Sequence, residues 1–328
     1  MKKTVEEAPI KLFCRSCAQK VDVSELKPFS LIPCPNCGTT LRVPKRFDRY
    51  LLEKLCGIGG MSKVYRAIDP DLARRVAVKI LNSEFTAEYH GCEQFIYEAK
   101  LVARISHPGV IPIYDCGIYD EQPFLVMRYM ERGSLEAMLK SQTMPDVSVV
   151  CAWLTTITEG LAAALKLDIV HHDIKPGNIL IADTGEAGLG DFDLADVRDS
   201  VESFLTATGW ASPAYVSPER LTDGHEDFQG DIFSLGVTAY ELVTGQLPFD
   251  TQGETEDLVK RRRHPFYTEA HLLNPLISPR FSDLLNRMMN FDPAKRPLYP
   301  EIIDIFSRES KGTRETMLTR LKRFFRLG

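Results

Sequence analysis

The stretch Val170-His-His-Asp-Ile-Lys-Pro-Gly-Asn-Ile-Leu-Ile181, followed by Gly190-Asp-Phe-Asp-Leu-Ala195, decides how the rest of the chain reads. Asp173, Lys175 and Asn178 fall within six residues, and Pro176 and Gly177 keep that segment from continuing as helix. Asp191 follows thirteen residues after Asn178, past an apolar strand expected at Ile179 to Ala182 and a turn at Asp183 to Gly185. A carboxylate can orient a hydroxyl nucleophile, and a cation can neutralise a transferring phosphoryl group. An amide oxygen and a second carboxylate can hold Mg²⁺. Together the four side chains point to phosphoryl transfer.

HHDIKPGN resembles the protein kinase catalytic loop HRDLxxxxN, and GDFDLA resembles the metal-binding DFG segment. Lys175, two residues after Asp173, resembles the lysine that marks kinases acting on serine and threonine. The resemblance makes Asp173 the catalytic base, or the residue orienting the substrate hydroxyl, with Lys175 beside it. Asn178 and Asp191 become the ligands of Mg²⁺ or Mn²⁺ bridging the β and γ phosphates of ATP. His171 becomes a support that packs and hydrogen-bonds under the loop.

The 328 residues are long for one domain and comfortable for two, and a 44% hydrophobic content suffices for a sizeable core. A net charge of −5 exerts no general pull on nucleic acid or anionic membrane. Residues 1–10 carry no apolar core of signal-peptide length, and no later segment approaches eighteen uninterrupted apolar residues. The expectation is a soluble, cytoplasmic protein.

Of the eight cysteines, Cys14, Cys17, Cys34 and Cys37 cluster as two CxxC knuckles sixteen residues apart. That spacing suits a four-thiolate zinc site, closed and therefore structural. Disulfides or free thiols are the alternative, and a reducing compartment disfavours disulfides. Residues 10–44 resemble a zinc ribbon, with Gly38 allowing the bend after the second knuckle and Pro44 to Arg46 serving as a linker. Its mild basic excess reads better as a solvated surface than as a nucleic-acid face.

Cys56-Gly57-Ile58-Gly59-Gly60-Met61-Ser62-Lys63-Val64 could be a hairpin turn, a dinucleotide fingerprint or a phosphate-cradling loop. The flanks read as strands on both sides, as in the kinase glycine-rich loop. Arg75-Val-Ala-Val-Lys79 resembles the VAIK strand, which makes Lys79 the contact for the ATP phosphates. Glu98 is then its partner on the next helix, expected over Glu93 to Ile105, with Glu93 the runner-up. Phe124 to Met130 resembles the hinge that receives adenine, Met127 standing as gatekeeper and Met130 at its end. Gly57, Ile58, Gly59 and Val64 complete the ATP-binding set.

Further on, a long apolar helix is expected over Val149 to Leu167, beneath the catalytic loop. By resemblance, Ser212 contacts the catalytic loop, Glu219 is the glutamate of the APE motif, Arg296 is its buried partner, and Asp231 anchors the loop backbone. Two residues depart from the family. His172 replaces an arginine that pairs with phosphate on the activation segment, so little dependence on such phosphorylation is expected. Asp193 stands in place of the DFG glycine and adds negative charge close to the metals. Met317, Leu318, Leu321, Phe324 and Phe325 recur at helical spacing among basic residues, forming an amphipathic tail that can dock on the protein, a partner or a membrane.

The resemblance is to bacterial-type (eukaryotic-like) serine/threonine protein kinases and spans about Tyr50 to Arg308. It implies an α+β, two-lobed protein kinase fold preceded by a zinc-ribbon module. The boundaries expected are 10–44 for the ribbon, 48–308 for the kinase domain (lobes about 48–127 and 132–308) and 309–328 for the tail. The implied activity is transfer of the ATP γ-phosphoryl group to protein Ser/Thr hydroxyls. A pseudokinase that presents the ribbon to partners is the alternative, resting on His172 and Asp193. A small-molecule kinase is disfavoured by Lys175, the Ser212 segment and Ser217-Pro-Glu219.

Overall fold

The computed structural model describes residues 9–59, 62–82, 91–192, 213–223 and 227–324, leaving aside the side chains of 91–94, 223 and 313–324. Its two cysteine knuckles fold alike. Strands β1 (Lys11–Phe13) and β2 (Lys20–Asp22) form an antiparallel hairpin around Cys14 and Cys17, and β3 (Leu31–Pro33) and β4 (Thr40–Arg42) form another around Cys34 and Cys37. The residue after each second cysteine is left-handed, Gly38 at φ +72° and Ala18 at φ +57°. Glycine takes this bend freely, whereas Ala18 takes it against its own Cβ. Alternation turns Leu12, Val21, Ile32 and Leu41 inward around Cys14 and Cys34.

Residues 45 and 46, expected as linker, instead begin β5 (Lys45–Phe47), which pairs antiparallel with β6 (Tyr50–Ile58). A three-residue strand has little signature of its own, and its partner strand is what makes it one. With β7 (Ser62–Asp69), β8 (Arg74–Leu81), β9 (Ile113–Tyr119) and β10 (Gln122–Arg128) it completes a six-stranded sheet in the order β5-β6-β7-β8-β10-β9. Phe47, Tyr50, Leu52, Val76, Val78 and Val126 form its core. The pair of cysteine hairpins packs on this sheet. Phe29 stacks on Tyr65 of β7 with ring centroids 6.1 Å apart, and Arg15 reaches to 3.8 Å from Glu53 of β6.

The chain divides into two compact units, residues 1–92 with 114–129, and 93–113 with 130–328. Most of α1 (Gly91–Val102) belongs to the second unit. There β11 (Gly133–Ser134), β12 (Ile179–Ile181) and β13 (Ala187–Leu189) make a small antiparallel sheet. Ser134 caps α2 (Leu135–Lys140), its hydroxyl accepting the Ala137 N–H. The helices α3 (Val147–Leu165) and α5 (Phe228–Thr244) are central, and α4 (Pro218–Asp223), α6 (Thr255–Arg263), α7 (Ala270–Leu273), α8 (Pro279–Met288) and α9 (Tyr299–Phe324) follow in chain order.

Among the described residues α3 is the helix long and apolar enough to cross a membrane. Its Val150, Leu154, Ile157 and Leu161 are buried in a core that also takes Phe233 and Leu235 of α5 and Ile302 and Phe306 of α9. The loop before β9 approaches α3 so closely that a Cβ on Gly109 would lie 2.0 Å from the Thr156 carbonyl oxygen. Helix α9 runs without interruption past Arg308, so the tail starts as a continuation of the last helix. The apolar side chains expected along it, Met317 to Phe325, lie outside the described residues.

One ion pair ties together segments far apart in sequence. The buried Arg296 guanidinium donates to both oxygens of Glu219, at 2.6 and 2.8 Å, and to the carbonyls of Gln229 and Asn290. Arg296→Met strands the Glu219 carboxylate without its partner and is expected to cost about 3–5 kcal/mol. Urea unfolding of wild type, Arg296→Met and the double variant with Glu219→Met checks this, with the double variant recovering part of the loss.

Candidate active site

The loop that carries Asp173 hangs from a single carboxylate. Asp231, in the first turn of α5, is 2% exposed and accepts the backbone N–H of His171 and of His172, each at 2.8 Å. The helix N-terminus favours negative charge at this position. His171 is fully buried, its Nδ1 accepting the Asp173 N–H at 3.2 Å. That leaves Nε2 as the protonated nitrogen, donating to the Gly190 carbonyl at 3.0 Å. The imidazole therefore links the loop to the segment that carries Asp191, and Phe192 packs on its ring with centroids 4.4 Å apart.

Three of the expected site residues meet at one point. Lys175 Nζ lies 2.9 and 2.7 Å from the two Asp173 oxygens, and Asn178 Nδ2 donates to the Asp173 carbonyl and carboxylate at 2.7 and 2.9 Å. Both amide hydrogens of Asn178 are thus engaged, and its Oδ1 is the atom left for a cation. The segment Pro176–Asn178, expected to be non-helical, closes as one 3₁₀ turn with proline at its start, where a missing N–H costs nothing. Gly190 N–H donates to the Asn178 carbonyl at 2.9 Å, drawing Asp191 toward the loop. Asp191 is exposed and left-handed, at φ +55°, and His172 is left-handed at φ +65°. Such conformations cost non-glycine residues about 1–3 kcal/mol and collect where a site over-determines them.

In the first unit, β6 and β7 flank the glycine-rich turn, which Gly59 N–H closes onto the Ser62 carbonyl at 2.8 Å. A Cβ on Gly57 would meet nothing within 4 Å, and one on Gly59 only Ser62 at 3.7 Å. The fold itself does not require glycine at either position, and bare backbone there suits the close approach of a phosphate. Ile58 between them is 71% exposed. Register places Val64 opposite Lys79 and Met127 opposite Ala77. Met127 is buried in this unit, Met130 is buried in the second, and Glu98 is half-buried on α1.

A family model described as a protein kinase domain matches residues 50–305. This chain belongs to the protein kinase family. Serine/threonine-protein kinase PknL of Mycobacterium tuberculosis H37Rv is 37% identical over 252 residues, covering 76% of this chain and 62% of PknL. PknA of the same strain is 32% identical over 267 residues, covering 80% of this chain and 60% of PknA. The crystal structure of the M. tuberculosis PknI kinase domain shares the fold, with a TM-score of 0.64 at 22% identity over 82% of this chain and 99% of that one. Ser212 and Asp193 lie outside the described residues.

Ahead of the kinase domain, Cys14 Sγ lies 3.5 Å from Cys37 Sγ and Cys17 Sγ 3.7 Å from Cys34 Sγ, with all four sulfurs within 4.8 Å of one another. Disulfide sulfurs would be about 2.05 Å apart, whereas sulfurs around a tetrahedral zinc with bonds of about 2.3 Å are separated by about 3.8 Å. Hydrogen bonding by Thr39 pulls Cys37 down to about 6.

Two arginines that the sequence did not single out are built into the second unit beside this loop and beneath Pro213. Arg220, on α4, donates to the His172 carbonyl at 2.7 Å, so the left-handed residue is gripped at its N–H by Asp231 and at its oxygen by Arg220. Arg262 stands within the run Lys260 to Arg263. It is 1% exposed, lies over Phe233 and Phe249, and donates to the carbonyls of Leu258, Pro213 and Ala214. Burial pulls it down to about 10, which leaves it charged at neutral pH. The available signal was helical spacing, since Arg262 stands one turn after the buried Leu258. Removing the grip on His172 by Arg220→Ala is expected to lower kcat about three- to tenfold with little change in KM for ATP, and Arg220→Lys to recover part of it. Steady-state kinetics on the three proteins, with circular dichroism as the folding control, checks this.

Proposed function

We propose that this chain is an ATP-dependent serine/threonine protein kinase that transfers the γ-phosphoryl group of ATP to protein hydroxyls. The observation that carries the reading is the Asp173 carboxylate, held by Lys175 and Asn178 on a loop fixed by Asp231. Asp173 orients the acceptor hydroxyl and Lys175 supplies positive charge beside it. Asn178 Oδ1 and Asp191 are hard oxygen donors suited to Mg²⁺ or Mn²⁺, which neutralises phosphate charge when bound. Gly57, Ile58, Gly59, Val64, Lys79, Glu98, Met127 and Met130 keep the nucleotide-binding roles that their family positions give them.

We further propose that Cys14, Cys17, Cys34 and Cys37 hold a structural zinc, supported by the sulfur spacing and by the size of residues 10–44, too few to build much core of their own. The free thiols fit the reducing cytoplasm. The tail is a further surface for a protein or membrane, and the net charge of −5 argues against nucleic acid. A second reading, an ATP-binding pseudokinase scaffold, is favoured by His172 and Asp193 in place of the family's arginine and glycine.

Transfer of ³²P from labelled ATP with Mg²⁺ or Mn²⁺, to the chain itself and to a generic basic protein, separates the two. Wild type should transfer and Asp173→Ala should not. If neither transfers although both are folded and bind ATP, the scaffold reading replaces the kinase. Elemental analysis should find about one zinc per chain, lost together with ribbon structure in Cys14→Ser/Cys34→Ser. A metal-free wild type with an intact ribbon would overturn the zinc assignment.

A further inference from the structure

Helices α4 and α6 enclose a groove of about 470 Å³ on the second unit. Leu221 and Val259 give it apolar lining, Lys260 and Arg263 are its two cations, and Glu256 and His264 also line it. A run of cations at a helix C-terminus ordinarily complements the helix dipole and faces water. These four are not equivalent. Arg262 is buried, and Arg261 lies 3.6 Å from Asp250. Lys260 and Arg263 are exposed, and among the described residues neither meets a carboxylate at ion-pair distance. Arg263 lies instead over the Phe291 ring, 4.9 Å from its centroid, which holds its charge at the rim. Just beyond His264, Phe266 is fully exposed.

The groove is built from the elements that fix the catalytic loop. Its α4 wall carries Arg220, bonded to the His172 carbonyl next to Asp173, and its α6 wall carries Arg262, bonded to the carbonyls of Pro213 and Ala214. We propose that this groove docks an acidic segment of the protein substrate, one bearing an apolar side chain for the apolar lining and carboxylates for Lys260 and Arg263. The inference rests on the kinase reading above. Unpaired cations beside an apolar lining reward such a segment twice, by burial and by charge complementarity, and the second contribution fades as salt rises.

The test uses the full chain, with dephosphorylated casein as acidic substrate and myelin basic protein as basic substrate. Lys260→Glu/Arg263→Glu should lower kcat/KM for casein about tenfold, through KM, while self-phosphorylation and transfer to the basic protein stay level or rise. Lys260→Gln/Arg263→Gln should give a smaller loss and controls for placing carboxylates at a helix C-terminus. Ratios between the two substrates that stay within about twofold of wild type would overturn the docking site. A fluorescein-labelled peptide of alternating glutamate and leucine, followed by anisotropy at low and physiological salt, needs no phosphate transfer. Binding by wild type and loss in the charge-reversed variant would uphold the groove even if the kinase reading failed, and equal binding by both would reject it.

Discussion

Two hydrogen bonds to one buried carboxylate set the geometry on which the rest of the candidate site depends. Asp231 belongs to the most buried helix of the second unit, so its position is fixed by the core, and the two N–H groups it accepts fix His171 and His172 in turn. From there the order spreads outward. His171 ties Gly190 and Phe192 to the loop, and Asn178 ties itself to Asp173. A charge this deep is costly unless fully bonded. That cost holds the His171 and His172 backbone in place, since moving either N–H away would take a hydrogen bond from the Asp231 carboxylate.

Much of this was legible because the informative residues sit close together. Asp173, Lys175 and Asn178 declare themselves within one short loop, and the kinase fold expected from them is the fold observed. Glu219 and Arg296 are 77 residues apart, and composition or periodicity alone would not have joined them; the family resemblance did. Where no local pattern existed, the sequence was silent or misleading. Strand β5 depends on β6 for its existence, and Arg262 was hidden inside a run of four cations whose neighbours face water. Arg220 stood beside a recognised glutamate and carried no signal of its own. In each case the missing information was the identity of a tertiary partner.

The amino-terminal unit shows another form of dependence. Phe29, between the two cysteine hairpins, stacks on Tyr65, and Arg15 joins Glu53, which also pairs with Arg66 at 2.9 Å. Tyr65 adjoins Val64, and both Glu53 and Arg66 lie on the strands that lead into the glycine-rich turn. The cysteine hairpins therefore contact both strands that lead into that turn.

Strand β5 gives this arrangement a consequence for where the chain can be cut. Modules that are shuffled between genes are usually joined by segments that belong to neither, so that a cut leaves both halves whole. Here the junction itself is a rung of the sheet. Lys45 lies opposite Leu52 and Phe47 opposite Tyr50, and severing the chain after Phe47 would strip β6 of its neighbour and expose a row of unpaired backbone groups. The amino-terminal module and the kinase domain therefore meet within one sheet, and a break at this junction takes a paired strand from β6.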